Sequence, residues 1–169
     1  WTNPGEIPAN GRDDDGNGKV DDIHGWHFYH NCTTGICLPE ENPLIQDENG
    51  HGTHATGIAT AETNNAIGIA GVSWGARAMI VKVLDEYGDG YYYDIAAGIV
   101  YAVDNGAQVI NLSLGGESSS QVLQDAVHYA YGKGALVVAA AGNNGGAVFY
   151  PAACDNAVAV AATDTNDQR

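Results

Sequence analysis

The sequence predicts an α/β domain built on a mostly parallel sheet, and three observations predict it. Apolar runs at 78–84, 109–112, 136–140 and 157–162 show no polar alternation, as expected of strands covered on both faces. Between them lie segments with helical apolar spacing, so strand and helix alternate and right-handed crossovers follow. The connections are short from residue 51 onward, whereas residues 1–50 are acidic, rich in Gly, Pro and Asn, and read as loops and short turns.

Each element has its own signal. Ile95, Ile99 and Val103 recur every fourth residue and stop at Asn105-Gly106, which predicts one helix and its C-terminal cap. Ser118 and Gln121 form a capping-box pattern ahead of Leu123, Ala126, Val127 and Ala130, a second helix ending near Gly132. Gly25, Trp26, Phe28 and Tyr29, interleaved with histidines, read as a strand at a sheet edge. The chain divides into an acidic region, 1–50, and an α/β core, 51–169, within one domain, because 169 residues hold one ordinary core.

Composition limits the partners. Six basic residues against 21 acidic ones give a formal charge of −15, which argues against nucleic acid. A solvated acidic surface accounts for most of that charge, and bound cations are compatible with it. No apolar run spans a bilayer, so no membrane partner is expected. Trp1-Thr-Asn-Pro-Gly lacks the basic start and apolar stretch of a signal peptide, as a mature secreted chain also would. Cys32 and Cys37 flank four residues and could close a small disulfide, while Cys154 reads as a buried free thiol.

Candidate chemistry begins at His51-Gly-Thr-His54-Ala-Thr-Gly57. Spacing alone leaves a general base, a structural histidine and a metal pair all open. The segment is similar to the histidine motif of the subtilase family of serine endopeptidases. Further segments resemble that family in the same order: Asn64 to Gly71 its calcium loop, Lys82-Val-Leu84 a strand leading to the cleft, Asn111 to Gly116 its substrate strand, Ala140 to Gly145 its oxyanion loop, with Tyr150-Pro-Ala-Ala after it. The resemblance implies a three-layer subtilisin-like fold, incomplete in this chain, from a secreted, monomeric, calcium-stabilised endopeptidase acting on protein or peptide substrates.

It also implies roles. His51 would act as general base and Asn143 as amide donor to the oxyanion. Ser113, Leu114 and Gly115 would present backbone to an extended substrate, with Gly88, Asp89 and Gly90 as the opposite edge. Gly115, Ala140 and Gly142 would shape the pocket for the residue before the scissile bond. Their small size leaves room and suggests broad specificity with a preference for large apolar side chains. The family's acid motif, Asp-Thr-Gly or Asp-Ser-Gly, and its nucleophile motif, Gly-Thr-Ser-Met-Ala, are absent, and Ser73, Ser113, Ser118, Ser119 and Ser120 lie in other contexts. Because the retained motifs are intact, truncation is expected rather than evolved loss. The isolated chain is expected to be inactive, because triad members act as a unit. A non-catalytic fragment or a calcium-binding structural module is the alternative.

Asp13, Asp15 and Asn17 fall at positions 1, 3 and 5 of a calcium-loop pattern, with Gly18 at the turn and Asp21 at position 9. Position 12 is His24 rather than Glu, so Asp22 is the candidate to complete the shell. A second calcium position is implied by the family resemblance at Asn65 with the carbonyls of Ile67 and Ile69. His24, His27 and His30 recur every third residue, which on a strand scatters the rings over both faces and disfavours a shared metal.

Overall fold

The computed structural model describes residues 1–32 and 37–168. They form two compact units, Trp1–Asp94 and Ile95–Arg169. In the first unit, β1 (Gly25–Asn31) pairs antiparallel with β2 (Leu38–Asn42) and parallel with β3 (Ile80–Lys82), giving the order β2-β1-β3. β1 is therefore the central strand of this sheet, not an edge. Its first residues, Gly25 to His27, pair with β3, and His27 to Asn31 pair with β2. The edge expectation failed because an apolar run does not reveal a partner that arrives much later in the chain. Trp26 and Phe28, on one face of β1, are buried. Helix α1 (His51–Thr60) also lies in this unit and buries none of its residues.

Helix α2 (Tyr92–Asp104) begins in the first unit and buries Ile95, Ala96, Ile99, Ala102 and Val103 in the second. It ends as expected at Gly106, where φ is +86° and the amides of Gly106 and Ala107 bond back to Val103 and Ala102. In the second unit β4 (Val109–Leu112), β5 (Leu136–Ala140) and β6 (Ala157–Val160) are parallel neighbours in that order. Ile110 faces Val137, which in turn faces Ala157. Among the described residues, three of the four strand pairings are thus parallel, arranged as two sheets.

Helix α3 (Gln121–Gly132) packs on β5 through Leu123, Ala126, Val127 and Ala130, one apolar stripe at helical spacing. The expected capping box does not form. Ser120 is the N-cap and makes no side-chain cap bond, so Gln121 stands at the first helical position and bonds Asp125 instead. One sheet face, with Ile110, Leu112, Val137 and Ala139, is buried; on the other, Val109 and Leu136 are exposed.

Leu123 is fully buried, with 0% relative exposure. Leu123→Ala should lower unfolding free energy by roughly 2–5 kcal/mol through lost transfer energy and a residual cavity. A urea titration followed by circular dichroism measures it, and a change under about 1 kcal/mol would show that α3 is not part of the cooperative core.

Candidate active site

His51 opens α1, is exposed, and follows Gly50, whose φ of +92° turns the chain into the helix. The helix start is capped from outside by Asp47. One oxygen of Asp47 accepts from the amides of Asn49 and Gly50 at 3.1 and 2.8 Å. The other accepts from the Thr53 amide at 2.8 Å and its hydroxyl at 2.7 Å, satisfying a first-turn donor that the helix leaves free. These bonds, the Thr53 hydroxyl first and then the Gly50 and Thr53 amides, hold the Asp47 carboxyl well below the usual carboxylate range. Lys82 of β3 fixes the same loop by bonding the Gln46 carbonyl and pairing with Glu48. The imidazole of His51 is thereby carried on a short helix whose first turn is tied to a strand.

The segment 85–90 is a turn organised by Asp85, which accepts from the amides of Tyr87 and Asp89, each at 2.9 Å. Asn49 links this turn to the loop before α1 through the Glu86 carbonyl, 3.0 Å away. Gly90 is required by close approach, since a Cβ there would stand 2.4 Å from the Val83 carbonyl oxygen. Tyr91 then places its hydroxyl 3.4 Å from Cys32 Sγ and 3.6 Å from Cys37 Sγ, and these two cysteines form a disulfide. The Tyr91 ring lies 4.6 Å from that of His30, whose Nδ1 is 2.7 Å from Asp94 in the first turn of α2. His27 stacks on Tyr29 and burial lowers its pKa, while His24 meets the Trp1 carbonyl. The three histidines thus go to separate partners.

In the second unit Ser113, Leu114 and Gly115 continue from the end of β4, and Ala140 ends β5. Asn143 is exposed and follows Gly142, whose φ of +104° belongs to the left-handed region. Asn144 beside it donates to Glu117 at 2.8 Å and accepts from the Gly146 amide, which fixes the loop and leaves the Asn143 amide outside that network. Gly116 and Tyr150 exchange two backbone hydrogen bonds of 2.9 and 2.8 Å, and the Phe149 amide donates to the Ala141 carbonyl at 3.0 Å. Phe149 is thereby drawn against both Gly115 and Gly142. Cys154 is free and buried, and burial raises its pKa.

In the acidic segment, carboxylate oxygens of Glu6, Asp13 and Asp15 come within 4.8 Å of one another. Three negative groups this close repel unless a cation or donors offset them, and hard oxygen donors of this kind suit calcium. Part of the offset comes from the backbone: Asp13 accepts from the amides of Gly16, Asn17 and Gly18, and Glu6 from those of Asp14, Asp15 and Asp21. Asn17 donates its amide to Asp15 and Asp22, and Asp22 is fully buried between Asn3 and Asn17. Asp21 stands outside the group; its two oxygens accept from Asn10 and Gly11. Asn65 accepts from the Ile67 amide at 3.0 Å, in a loop where φ is positive at Asn64, Ala66 and Gly68, while Ile67 and Ile69 are exposed.

Residues 18–169 match the subtilase family. The chain belongs to the subtilase family. It is 50% identical over 153 residues to thermitase of Thermoactinomyces vulgaris, covering 90% of this chain and 50% of that protein. It is 49% identical over 152 residues to a thermophilic serine proteinase of Bacillus sp. (strain AK1), covering 89% of this chain and 35% of that protein. The solved structure of sphericase superposes with a TM-score of 0.71 at 42% identity, over 80% of this chain and 46% of that one. The subtilase chain thus spans about half the length, or less, of the relatives it matches. Its helices and parallel strands are a partial α/β subtilisin-like fold.

Several residues that hold the loops of the candidate site carry little or no signal in the sequence. Asp47, Asp85 and Glu6 act through bonds to backbone amides, and only an acid close to a Gly-rich turn hints at the first two. Phe149 carried no signal at all, because its role depends on two loops distant in sequence.

Because folding depresses the Asp47 pKa, its contribution is present in full above the ordinary aspartate value of about 3.9 and is lost as pH falls from there through the depressed value. Asp47→Ala should therefore destabilise the chain at neutral pH by roughly 0.5–2 kcal/mol, the range of a lost cap, with the difference from wild type shrinking below about pH 3. Thermal melts at a series of pH values test this, and a difference independent of pH would rule out the carboxylate as the cap.

Proposed function

We propose that this chain is part of a serine endopeptidase, with His51 as general base and Asn143 as oxyanion donor. The observation that carries the reading is the match of residues 18–169 to the subtilase family, within which His51-Gly-Thr-His54 opens a helix and Asn143 follows Gly142, a glycine of positive φ. In the reaction His51 takes the proton of a serine hydroxyl supplied outside these motifs and returns it to the leaving amine. The Asn143 side-chain amide donates to the oxygen that becomes negative in the tetrahedral intermediate. By the family's pattern, Ser113, Leu114 and Gly115 would offer backbone groups to an extended peptide, as would Gly88, Asp89 and Gly90. The Cys32–Cys37 disulfide supports an extracellular setting, where such bonds persist.

Calcium is the structural cofactor in this reading. Asp13 and Asp15 with Glu6 provide charged oxygens, Asn17 and Asp22 complete the surrounding network, and Asp21 holds the neighbouring turn. Asn65 with the carbonyls of Ile67 and Ile69 is a second, weaker candidate. The ion would neutralise the crowded carboxylates and brace a segment with few apolar contacts.

The intact protein, with its natural flanking segments, should hydrolyse peptides, be blocked by a serine-directed inhibitor, and lose that activity in His51→Ala. Asn143→Ala should lower kcat by roughly 10²–10³, a figure that comes from subtilisin itself. The 169-residue chain alone should show no inhibitor-sensitive hydrolysis, since neither the acid nor the nucleophile motif is in it. Absence of inhibitor-sensitive turnover in the intact wild type would instead favour the reading as a non-catalytic or calcium-binding module, and undiminished turnover in His51→Ala would remove His51 as the base.

Calcium at about 100 times its dissociation constant should raise stability by about 2.7 kcal/mol, and chelation should remove that gain. Melting curves with and without calcium, repeated on Asp13→Asn and Glu6→Gln, check the assignment. Calcium dependence unchanged in both variants would place the ion elsewhere.

A further inference from the structure

We propose that Phe149 limits the size of the side chain accepted before the scissile bond, so that small residues are preferred there over aromatic ones. The inference rests on the endopeptidase reading and replaces its expectation of a roomy pocket. That expectation came from Gly115, Ala140 and Gly142, whose own side chains are small or absent. What the sequence could not show is what stands against those glycines. A Cβ built on Gly142 would lie 2.8, 2.9 and 3.1 Å from the Cγ, Cδ1 and Cδ2 atoms of Phe149. A Cβ on Gly115 would lie 3.1 Å from Phe149 Cβ and 3.6 Å from its Cδ2. Phe149 thus stands on the side where both glycines' side chains would project, its ring against Gly142 and its Cβ against Gly115, where the Tyr150 carbonyl oxygen lies equally near at 3.1 Å.

The ring is held there by its backbone. The Phe149 amide bonds the Ala141 carbonyl, one residue before Gly142, and Tyr150 pairs through both its backbone groups with Gly116, one residue after Gly115. The Phe149 carbonyl also accepts from the Ala153 amide at 2.8 Å. Hydrogen bonds on both sides of Phe149 fix its Cα–Cβ direction toward the space between the two segments. A benzyl or long aliphatic substrate side chain would have to share that space with the ring, and interiors packed this closely tolerate extra volume poorly. A methyl or hydroxymethyl group needs much less of it.

The test uses the intact protein and a series of peptide anilides that differ only in the residue before the scissile bond: Ala, Leu or Phe. Wild type should cleave the Ala peptide with a kcat/KM roughly tenfold or more above that for Phe, the scale of discrimination that pocket volume supplies. Phe149→Gly should shift the Phe-to-Ala ratio upward by roughly tenfold, and Phe149→Leu, which keeps an apolar contact, should shift it less. The wild-type rank order tests the idea even where a variant fails to fold. A wild-type preference for Phe would overturn the inference. So would variants that lower kcat/KM for all three peptides by one common factor, the signature of a ring that merely supports the Gly142 loop. No hydrolysis of any peptide by the folded wild type would defeat the endopeptidase reading, and this inference with it.

Discussion

The carboxylate that accepts hydrogen bonds from backbone amides is the interaction on which the loops of this chain depend. Glu6, Asp13 and Asp21 hold the N-terminal acidic segment in this way, Asp47 holds the start of α1, and Asp85 holds the turn before Gly88. Asp164 repeats the device near the other end, accepting from Asn166 and Gln168, and the same bonds lower its pKa. A charged acceptor makes a stronger bond than a neutral one, and these segments bury few apolar side chains with which to hold a shape. Six carboxylates of this acidic chain, Glu6, Asp13, Asp21, Asp47, Asp85 and Asp164, thus hold the backbone of turns.

That constraint reaches the candidate catalytic residues. His51 owes its place to a short helix that buries none of its own residues, so its start is fixed by polar bonds from Asp47 and by Lys82 on the preceding loop. Asn143 is placed differently. β4 and β5 lie in a parallel sheet beneath α3, and the Gly116–Tyr150 pairing anchors the return of the chain beside Gly142. Apolar packing supports one residue and charge-assisted bonding the other. Acid should therefore disturb the surroundings of His51 before those of Asn143.

The histidines show how spacing can mislead and also inform. His24, His27 and His30 recur every third residue, and their rings meet the Trp1 carbonyl, Tyr29 and Asp94 respectively. The pairing of His30 with Asp94, and of Tyr91 with the Cys32–Cys37 disulfide, joins groups that no periodicity links. Such contacts follow from how strands and turns come together.

The sequence by itself determined the family and the order of strands and helices from residue 78 onward, because these reside in contiguous side-chain patterns and local apolar spacing. The spans 109–112 and 136–140 coincide with β4 and β5, and Asn105-Gly106 ends α2 as read. Only the tertiary structure decided that β1 is central in its sheet, that Ser118 caps nothing, that Glu6 joins Asp13 and Asp15, and that Phe149 stands against Gly115 and Gly142. Each of these depends on which distant segment supplies a backbone partner or fills a space left by a small residue. Pairing and filling are properties of the folded chain, and neither leaves a local mark in the order of residues.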